Sequence, residues 1–486
     1  MNAARSQGLS RLLSISALVL LAACIATAAT PRETVLYSFQ GGNDGAFPSS
    51  DLVADKQGNL YGTTVYGGTG LCTDVDGFVI GCGTVFKLTK PSKPGQKWQE
   101  KILYSFQGDT CCQGGDSGYP LAGLVFDTVG NLYGTTSGIT GQFNDNGTVF
   151  ELSPPAKNGG AWTKTVVHTF QGGYDGDKPR AGLIFDGQGR LYGSTSDGAP
   201  LTGGTVFRLT PPSQAGGAWT ETILYTFAGG TDGENPAGVI FDAKGNIFGT
   251  TSGGGGFGIG DQYGKSWSGG GTFFELTPTA RQNKPWNETL PFIFPSCVSS
   301  PFNYGIGCGT STQPESSLIA DSPGNLYGTT EIGGTGCSSS NGYYSTGCGT
   351  VFQLVPPSVA GGAWTQNILY KFGSSSSDGA FPAAKLIFDA AGNLYGTTLD
   401  GCNTYVCYGG LGAVFKLTPP SSQGGSWTET ILYHFQGGSD GAVPAAGLLP
   451  SGGGAFYSTT QYGGAGNCMH TVSQPTGCGT VFTIQP

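Results

Sequence analysis

The chain has 486 residues, a formal net charge of −9 and only 11% charged side chains. An acidic chain without a long basic run excludes nucleic acid as a partner, because contact with phosphates needs a basic face. Gly fills 88 positions, yet aromatics reach 12% and recur at fixed places, so the chain can bury enough apolar surface to order itself.

The first segment reads as a targeting sequence. Arg5 and Arg11 frame the start of Leu12–Ala23 (LLSISALVLLAA), an apolar run too short to span a bilayer as a fixed helix. Two cleavage readings stand. Ala26-Thr27-Ala28 fits an A-x-A site and a signal peptide over residues 1–28. Leu21–Cys24 fits a lipobox, with residues 1–23 removed and lipid on Cys24. Both readings export the chain, to the extracellular space, the cell surface or the periplasm; the second makes it an outer-membrane lipoprotein. No further apolar run of spanning length follows, so no transmembrane helix is expected in the mature chain.

The rest is built from four recurring strings, each rich in Val, Ile, Leu, Phe, Tyr and Thr and bounded by Gly, Pro or Asp. These are strand signals. In the first copy they are Leu52–Asp55 (strand a), Asn59–Thr64 (NLYGTT, strand b), Gly83–Leu88 (GTVFKL, strand c) and Ile102–Phe106 (ILYSF, strand d). Copies follow over 52–106, 124–170, 183–227, 239–294, 318–372, 386–435 and 448–484. The last copy ends after strand c, while a lone strand d stands at 34–39, before the first copy. An open array has no use for that offset, but a closed ring does. The expected fold is therefore an all-β, seven-bladed propeller over residues 33–486, four strands per blade, with 34–39 completing the last blade. Strand d is the expected outer edge, and Pro291 within it agrees.

The links show where function can lie. The a–b link is a short turn of constant length, with the Asp of DxxGN capping backbone N–H groups. The c–d link is constant too and ends on a Trp, read as a packing residue entering strand d. The b–c and d–a links vary, from 8 to 19 and from 11 to 23 residues, and in a propeller they share one face. Binding residues usually sit on such loops.

Cysteine usage points to the same face. Of 13 Cys, 12 remain beside Cys24, and they fall into close neighbours. Cys72 stands near Cys82, Cys111 beside Cys112, Cys297 near Cys308, Cys337 near Cys348, Cys402 near Cys407 and Cys468 near Cys478. In an exported chain they read as disulfides. The pair Cys111 and Cys112 is the weakest, because adjacent cysteines close a strained ring. All lie in b–c or d–a links.

The unit GNLYGTT, GTVFKL, W, ILYSF, DG, P, LVFD closely resembles the GloVer tandem repeat of exported bacterial proteins, across essentially all of residues 33–486. The resemblance implies a surface or secreted protein. It implies no activity, and no catalytic residue carries over from it. Family members with a C-terminal sorting signal differ from this chain, which reaches Pro486 without an apolar tail.

Catalytic signatures are nearly absent. His168 and His434 sit at strand d positions, and His470 is the only loop histidine. The Trp-ended c–d link lacks the Asp of a sialidase-type box, and Gly253–Gly260 has glycine-loop spacing without a helix after it. Asp74 with Asp76, and separately Asp145 within Asn144–Gly147, place oxygen ligands close together, as calcium likes, and neither completes a calcium loop. No other cofactor is expected. The DG aspartates of the d–a links (Asp44, Asp175, Asp232, Asp378 and Asp440) read as turn residues. Loop-face aromatics are plentiful: Tyr66, Phe78, Tyr119, Tyr174, Trp267, Tyr343, Tyr344, Tyr405 and Tyr462, with His470 beside them, are the candidate binding residues. The expectation is an exported, non-catalytic binding or scaffold propeller contacting extracellular glycan or a surface protein. Two alternatives are a carbohydrate-active hydrolase or lyase using carboxylates on that face, and a purely structural surface protein. Two or more carboxylates meeting at the axis would favour catalysis.

Overall fold

The structure is a computed structural model that describes residues 31–73, 77–108, 116–138, 145–157, 159–198, 203–214, 216–256, 269–279, 286–296, 298–299, 306–307, 311–334, 336–337, 344–345, 347–359, 361–375, 377–401, 410–422, 424–468 and 476–486. Seven four-stranded antiparallel sheets form a ring, a seven-bladed β-propeller. In blade 1 the order is a (Val53–Ala54), b (Leu60–Thr64), c (Thr84–Thr89) and d (Gln99–Ser105). Strand d of blade 7 is Arg32–Ser38, paired antiparallel with Thr480–Gln485 from Arg32 opposite Gln485 to Ser38 opposite Thr480. The start of the described chain thus closes the circle.

The starts of strand a converge on the axis. Gly447 N donates to Asp51 Oδ1 at 2.7 Å, Gly123 faces the Asp51 backbone, and Gly238 faces both Ala181 and Ser317. This crowding shortens strand a. It has two residues in six blades, where the sequence suggests four. Blade 4 is the exception, with strand a running over Glu234–Phe241; there the link after Pro236 is one residue shorter, and a register shift at Gly238 lets pairing continue.

The recurring strings now have physical reasons. Asp55 Oδ1 accepts from the backbone N–H of Gln57 and Asn59, and its Oδ2 accepts from Asn59 Nδ2 and the Tyr61 hydroxyl. Burial raises the Asp55 pKa, but these donors outweigh it and hold the carboxylate below its ordinary range. Gly62 and its counterparts lie under an aromatic ring. A Cβ on Gly134 would sit 2.7 Å from Phe150 Cζ and 2.8 Å from Leu124 Cδ2. Gly134→Ala is therefore expected to cost about 1–3 kcal/mol by overpacking, read as a lower denaturation midpoint with an unchanged m-value. Ser458→Gly, at the one copy that already holds a side chain here, is expected to cost less, the loss of a hydroxyl bonded to the Ala446 and Gly447 carbonyls.

The Thr pair has two separate jobs. The first Thr reaches forward to the next blade: Thr63 to the Pro120 carbonyl, Thr135 to Pro179, Thr329 to Ala384 and Thr397 to Ala446. The second ties strand b to strand c, as Thr64 does with Thr84 at 2.8 Å.

Blade junctions repeat as regularly as the blades. The last Phe of one strand d meets the strand c Phe of the next blade edge-on, as in Phe106–Phe150 (5.2 Å), Phe227–Phe274 (5.0 Å) and, at the closure, Phe39–Phe86 (5.1 Å). The c–d tryptophans pack backward between blades, Trp98 on Tyr457 and Trp162 on Tyr61.

A further clasp sits on the loop face. Phe47, Tyr119, Lys178, Asn235, Gln313, Phe381 and Val443 each precede a Pro and each have φ between 55° and 59°, a left-handed conformation costly for side chains and rare before Pro. Every one donates its N–H to the residue just before strand c's first Gly in the preceding blade, such as Tyr119 to Cys82 and Phe47 to Cys478. Most also accept from the residue following the Thr pair of their own blade, as Tyr119 does from Ser137. A strained residue held on both sides in most blades indicates that the surrounding structure over-determines it.

Three disulfides occur among the described residues: Cys72–Cys82, Cys337–Cys348 and Cys468–Cys478, with Cα separations of 5.0–5.1 Å. All three close b–c links. Their second cysteines are fully buried and supply the carbonyls that Tyr119, Phe381 and Phe47 clasp. The cystines therefore fix blade junctions as well as loops. The other three expected pairings, Cys111 with Cys112, Cys297 with Cys308 and Cys402 with Cys407, lie outside the described residues, as does Cys24. No helix among the described residues is long and apolar enough to cross a membrane.

Candidate functional site

The d–a and b–c links of a blade pair with each other above the Thr residues, as Ala46 with Tyr66, Asp177 with Asp197, Thr312 with Ile332, Ala380 with Asp400 and Ala442 with Tyr462. Equivalent positions therefore recur around the axis, and the side chains at them divide the loop face into two arcs.

The first arc is aromatic and covers blades 7, 1 and 2. Tyr462, Phe47, Tyr66 and Tyr119 form a continuous edge-to-face chain with centroid spacings of 5.1, 5.3 and 5.4 Å. Tyr119 is buried, while Tyr66 and Tyr462 are half-buried. Phe78 and Tyr174 stand out into solvent, at 70% and 77% exposure. The backbone of Tyr344 lies in a short strand paired with Ile306–Gly307. Trp267, Tyr343, Tyr405 and His470 lie outside the described residues.

The second arc carries charged side chains from the links of blades 3, 5 and 6. Lys178 Nζ bonds Asp197 Oδ2 at 2.7 Å and lies 3.7 Å from Asp177 Oδ2. Arg180, two residues on, acts electrostatically on Lys178 and on Glu315, in the link that leads into blade 5. Glu315 follows Pro314 as Arg180 follows Pro179. It reaches water, yet the protein around it and the neighbouring Glu331 push its carboxyl up to about 7, against the pull of Arg180. Burial raises Glu331 as well. Asp400 is raised to about 6, by burial first and then by Glu331. Glu331 thus acts on both Glu315 and Asp400, with a guanidinium beside Glu315, and all three carboxyl groups are shifted toward their protonated form.

Sequence reasoning named the aromatics but not Glu315, Glu331 or Asp400. A signal was present. After the recurring Pro the other blades carry Ser49, Leu121, Ala237, Ala383 and Ala445, so Arg180 and Glu315 are the two charges at that position. Of the calcium candidates, Asp145 accepts from Ser117 Oγ at 2.7 Å, and Asp74 and Asp76 lie outside the described residues. The DG aspartates are turn residues that also tether strand d: Asp44 accepts from the Tyr37 hydroxyl and from Gln40 N–H, both at 2.6 Å. On the opposite face a cleft of about 750 Å³ opens between blades 3 and 4, lined by Asp186, Arg190, Arg208, Asp242, Lys244 and Trp286. It is an interblade groove made of turn and strand residues of the two repeats.

The Gloeobacter/Verrucomicrobia repeat profile matches residues 71–284, 140–341 and 260–473 in three overlapping registers. The chain belongs to the Gloeobacter/Verrucomicrobia repeat family. Among solved structures, Pseudomonas fluorescens PhoX in complex with vanadate is similar at 11% identity over 94% of this chain and 95% of that one, with a TM-score of 0.43. An ulvan lyase of polysaccharide lyase family PL25 is similar at 11% identity over 89% and 90%, also with a TM-score of 0.43. The PQQ domain of pyranose dehydrogenase from Coprinopsis cinerea is similar at 13% identity over 75% and 92%, with a TM-score of 0.34. Likenesses this distant carry nothing about the chemistry of the repeat family's loop face. No curated protein matches the chain in sequence.

Proposed function

We propose that this repeat-family member is an exported binding protein whose loop face engages an extracellular glycan, with the charged arc as its polar centre and the aromatic rims beside it. The observation that carries this reading is that Arg180 and Glu331 act on Glu315, and Glu331 on Asp400, across the loop face of a chain with only 11% charged residues. Hydroxyl-rich ligands need such convergent polar groups next to ring surfaces. The disulfides fit an oxidising compartment. A glycan array probed with the mature chain, with and without calcium, tests the reading. Binding to a polysaccharide class is expected, weakened about tenfold or more in Arg180→Ala and Glu331→Gln through loss of a charge-assisted hydrogen bond. Absence of binding to every glycan would remove the ligand class.

A second reading rests on Glu315. A carboxyl held to about 7 beside other acidic groups has the character of a general acid in glycan cleavage. On this reading a bound polysaccharide is cleaved, and Glu315→Gln abolishes product formation while binding persists.

A further inference from the structure

Four blade junctions share an outer trio. A Tyr of strand d donates to the Asp of the following link, and a Glu from the next blade's strand d stands against that Asp: Tyr37, Asp44 and Glu100; Tyr225, Asp232 and Glu288; Tyr370, Asp378 and Glu429; Tyr433, Asp440 and Glu33. The junction between blades 2 and 3 keeps the Asp and the Glu but has His168 where the Tyr stands. Its ring is seated alike, edge-on to Phe170 at 4.8 Å as Tyr37 is to Phe39 at 5.2 Å. What differs is the polar end. The Tyr hydroxyls reach their Asp at 2.6–3.1 Å, whereas His168 Nε2 lies 3.4 Å from Asp175 Oδ2 and 3.5 Å from Glu221 Oε1. That nitrogen is sequestered from solvent and has no partner at hydrogen-bonding geometry.

We propose that His168, Asp175 and Glu221 form a binding site for a first-row divalent metal ion of the Zn²⁺ class, which clamps blade 2 to blade 3.

The spacing suits an ion better than a hydrogen bond. Ligands about 2.0–2.1 Å from a tetrahedral Zn²⁺ are separated by roughly 3.3–3.5 Å from one another, and both measured separations fall there. The three ligand atoms lie within 4.8 Å of one another. The side chains are 18%, 24% and 12% exposed, and both His168 Nε2 and Glu221 Oε1 are sequestered from solvent. One imidazole and two carboxylates suit Zn²⁺ or a neighbouring transition ion, while Ca²⁺ takes six to eight oxygens and Mg²⁺ keeps an octahedral shell. The clamp would span two strands d, Thr163–Thr169 and Thr220–Thr226, through the link that carries Asp175. The other junctions provide an internal control, because Tyr at this place is compatible with the same Asp, Glu and Phe neighbours.

The test uses the mature chain stripped with a chelator, loaded with Zn²⁺ and dialysed. One Zn²⁺ per chain is expected to be retained, with a melting temperature that rises with free Zn²⁺. His168→Tyr rebuilds the trio of the other junctions and is expected to fold, yet to lose both the bound ion and the Zn²⁺-dependent rise. Glu221→Gln is expected to lose the ion as well, and His470→Ala to keep it. Co²⁺ in place of Zn²⁺ should give the absorption of a tetrahedral site in the parent and none in His168→Tyr. Failure of the parent to retain Zn²⁺, or equal retention by His168→Tyr, would overturn the assignment.

Discussion

Removal of residues 31–39 is expected to abolish cooperative unfolding of the ring. These residues supply the fourth strand of blade 7, with six residue pairs against Thr480–Gln485. They also supply Phe39, fully buried and edge-on to Phe86 of blade 1. Without them strand c of blade 7 becomes an open edge, a template for aggregation, and the closing junction loses its aromatic contact. Truncation of a buried Phe alone costs about 3–5 kcal/mol, on the scale of a whole domain's net stability of about 5–15 kcal/mol. Phe39→Ala should therefore lower the melting temperature sharply, and the deletion should yield a broad transition or an aggregate. A permuted chain, in which residues 31–40 follow Pro486 through a seven-residue link, so that nine residues separate Ile484 from Pro31 as they do Leu88 from Trp98, should recover the parent's transition. The strand then reaches the same neighbour by the same kind of connection. A deleted chain that melts like its parent would show that closure contributes little.

Much of this architecture was legible because the chain contains seven versions of one unit. The strings marked strands b, c and d, and the displaced 34–39 strand marked the closure, since both follow from local pattern and counting. The turn Asp was legible for the same reason, although the Tyr61 hydroxyl that completes its hydrogen bonds was not. What escaped were relations between blades. The left-handed residue before each Pro runs against local preference and is sustained only by the neighbouring carbonyl, so no local rule announces it. Strand a came out shorter than its string because the limit is crowding at the axis, a property of the closed ring. Arg180 and Glu315 are 135 positions apart in sequence and meet only because the ring folds back on itself. His168 was read as a strand residue at a Tyr position, and it is one; its partner Glu221 lies on another blade. The information needed was present in the differences between copies. Positions where most blades agree on a small or apolar residue and one carries a charge mark individual function better than the motif itself.

Alkaline pH is expected to destabilise the protein well before lysine or tyrosine titrates. At the four Tyr junctions the Glu is pushed up: Glu33, Glu100 and Glu288 to about 8, each by burial first, with Asp440, Asp44 and Asp232 respectively adding to it. Glu429 moves the same way, through burial and Asp378. The groups facing each pair are the strand d tyrosines, Tyr433, Tyr37, Tyr225 and Tyr370, whose own ionisation is pushed further up. One Oε of each Glu is buried without a hydrogen-bond partner, as fits a neutral carboxyl sharing its single proton with the adjacent Asp. In the unfolded chain the same Glu ionises near 4.5, the ordinary value. Between about 4.5 and 8 the folded state therefore binds more protons than the unfolded state, and stability falls as pH rises across that window. If one unit of each shift survives solvent screening, each junction loses about 1.4 kcal/mol. Four together would lower the melting temperature by roughly 5–10 °C between about pH 5 and 9. The opposite limb comes from the a–b turns. Asp55, Asp186 and Asp389 are buried in part but stabilised as anions by their hydrogen bonds, and their folded pKa values are lowered. Their contribution is lost as pH falls below about 4, which places the stability maximum in mildly acidic solution. Replacing all four residues, Glu33→Gln, Glu100→Gln, Glu288→Gln and Glu429→Gln, keeps an N–H donor for each Asp and removes the titration. The melting temperature of that variant should stay nearly level from about pH 5 to 9 and exceed the parent's at the alkaline end. A parent profile already flat over this range, or a variant with the parent's slope, would contradict proton sharing at the junctions.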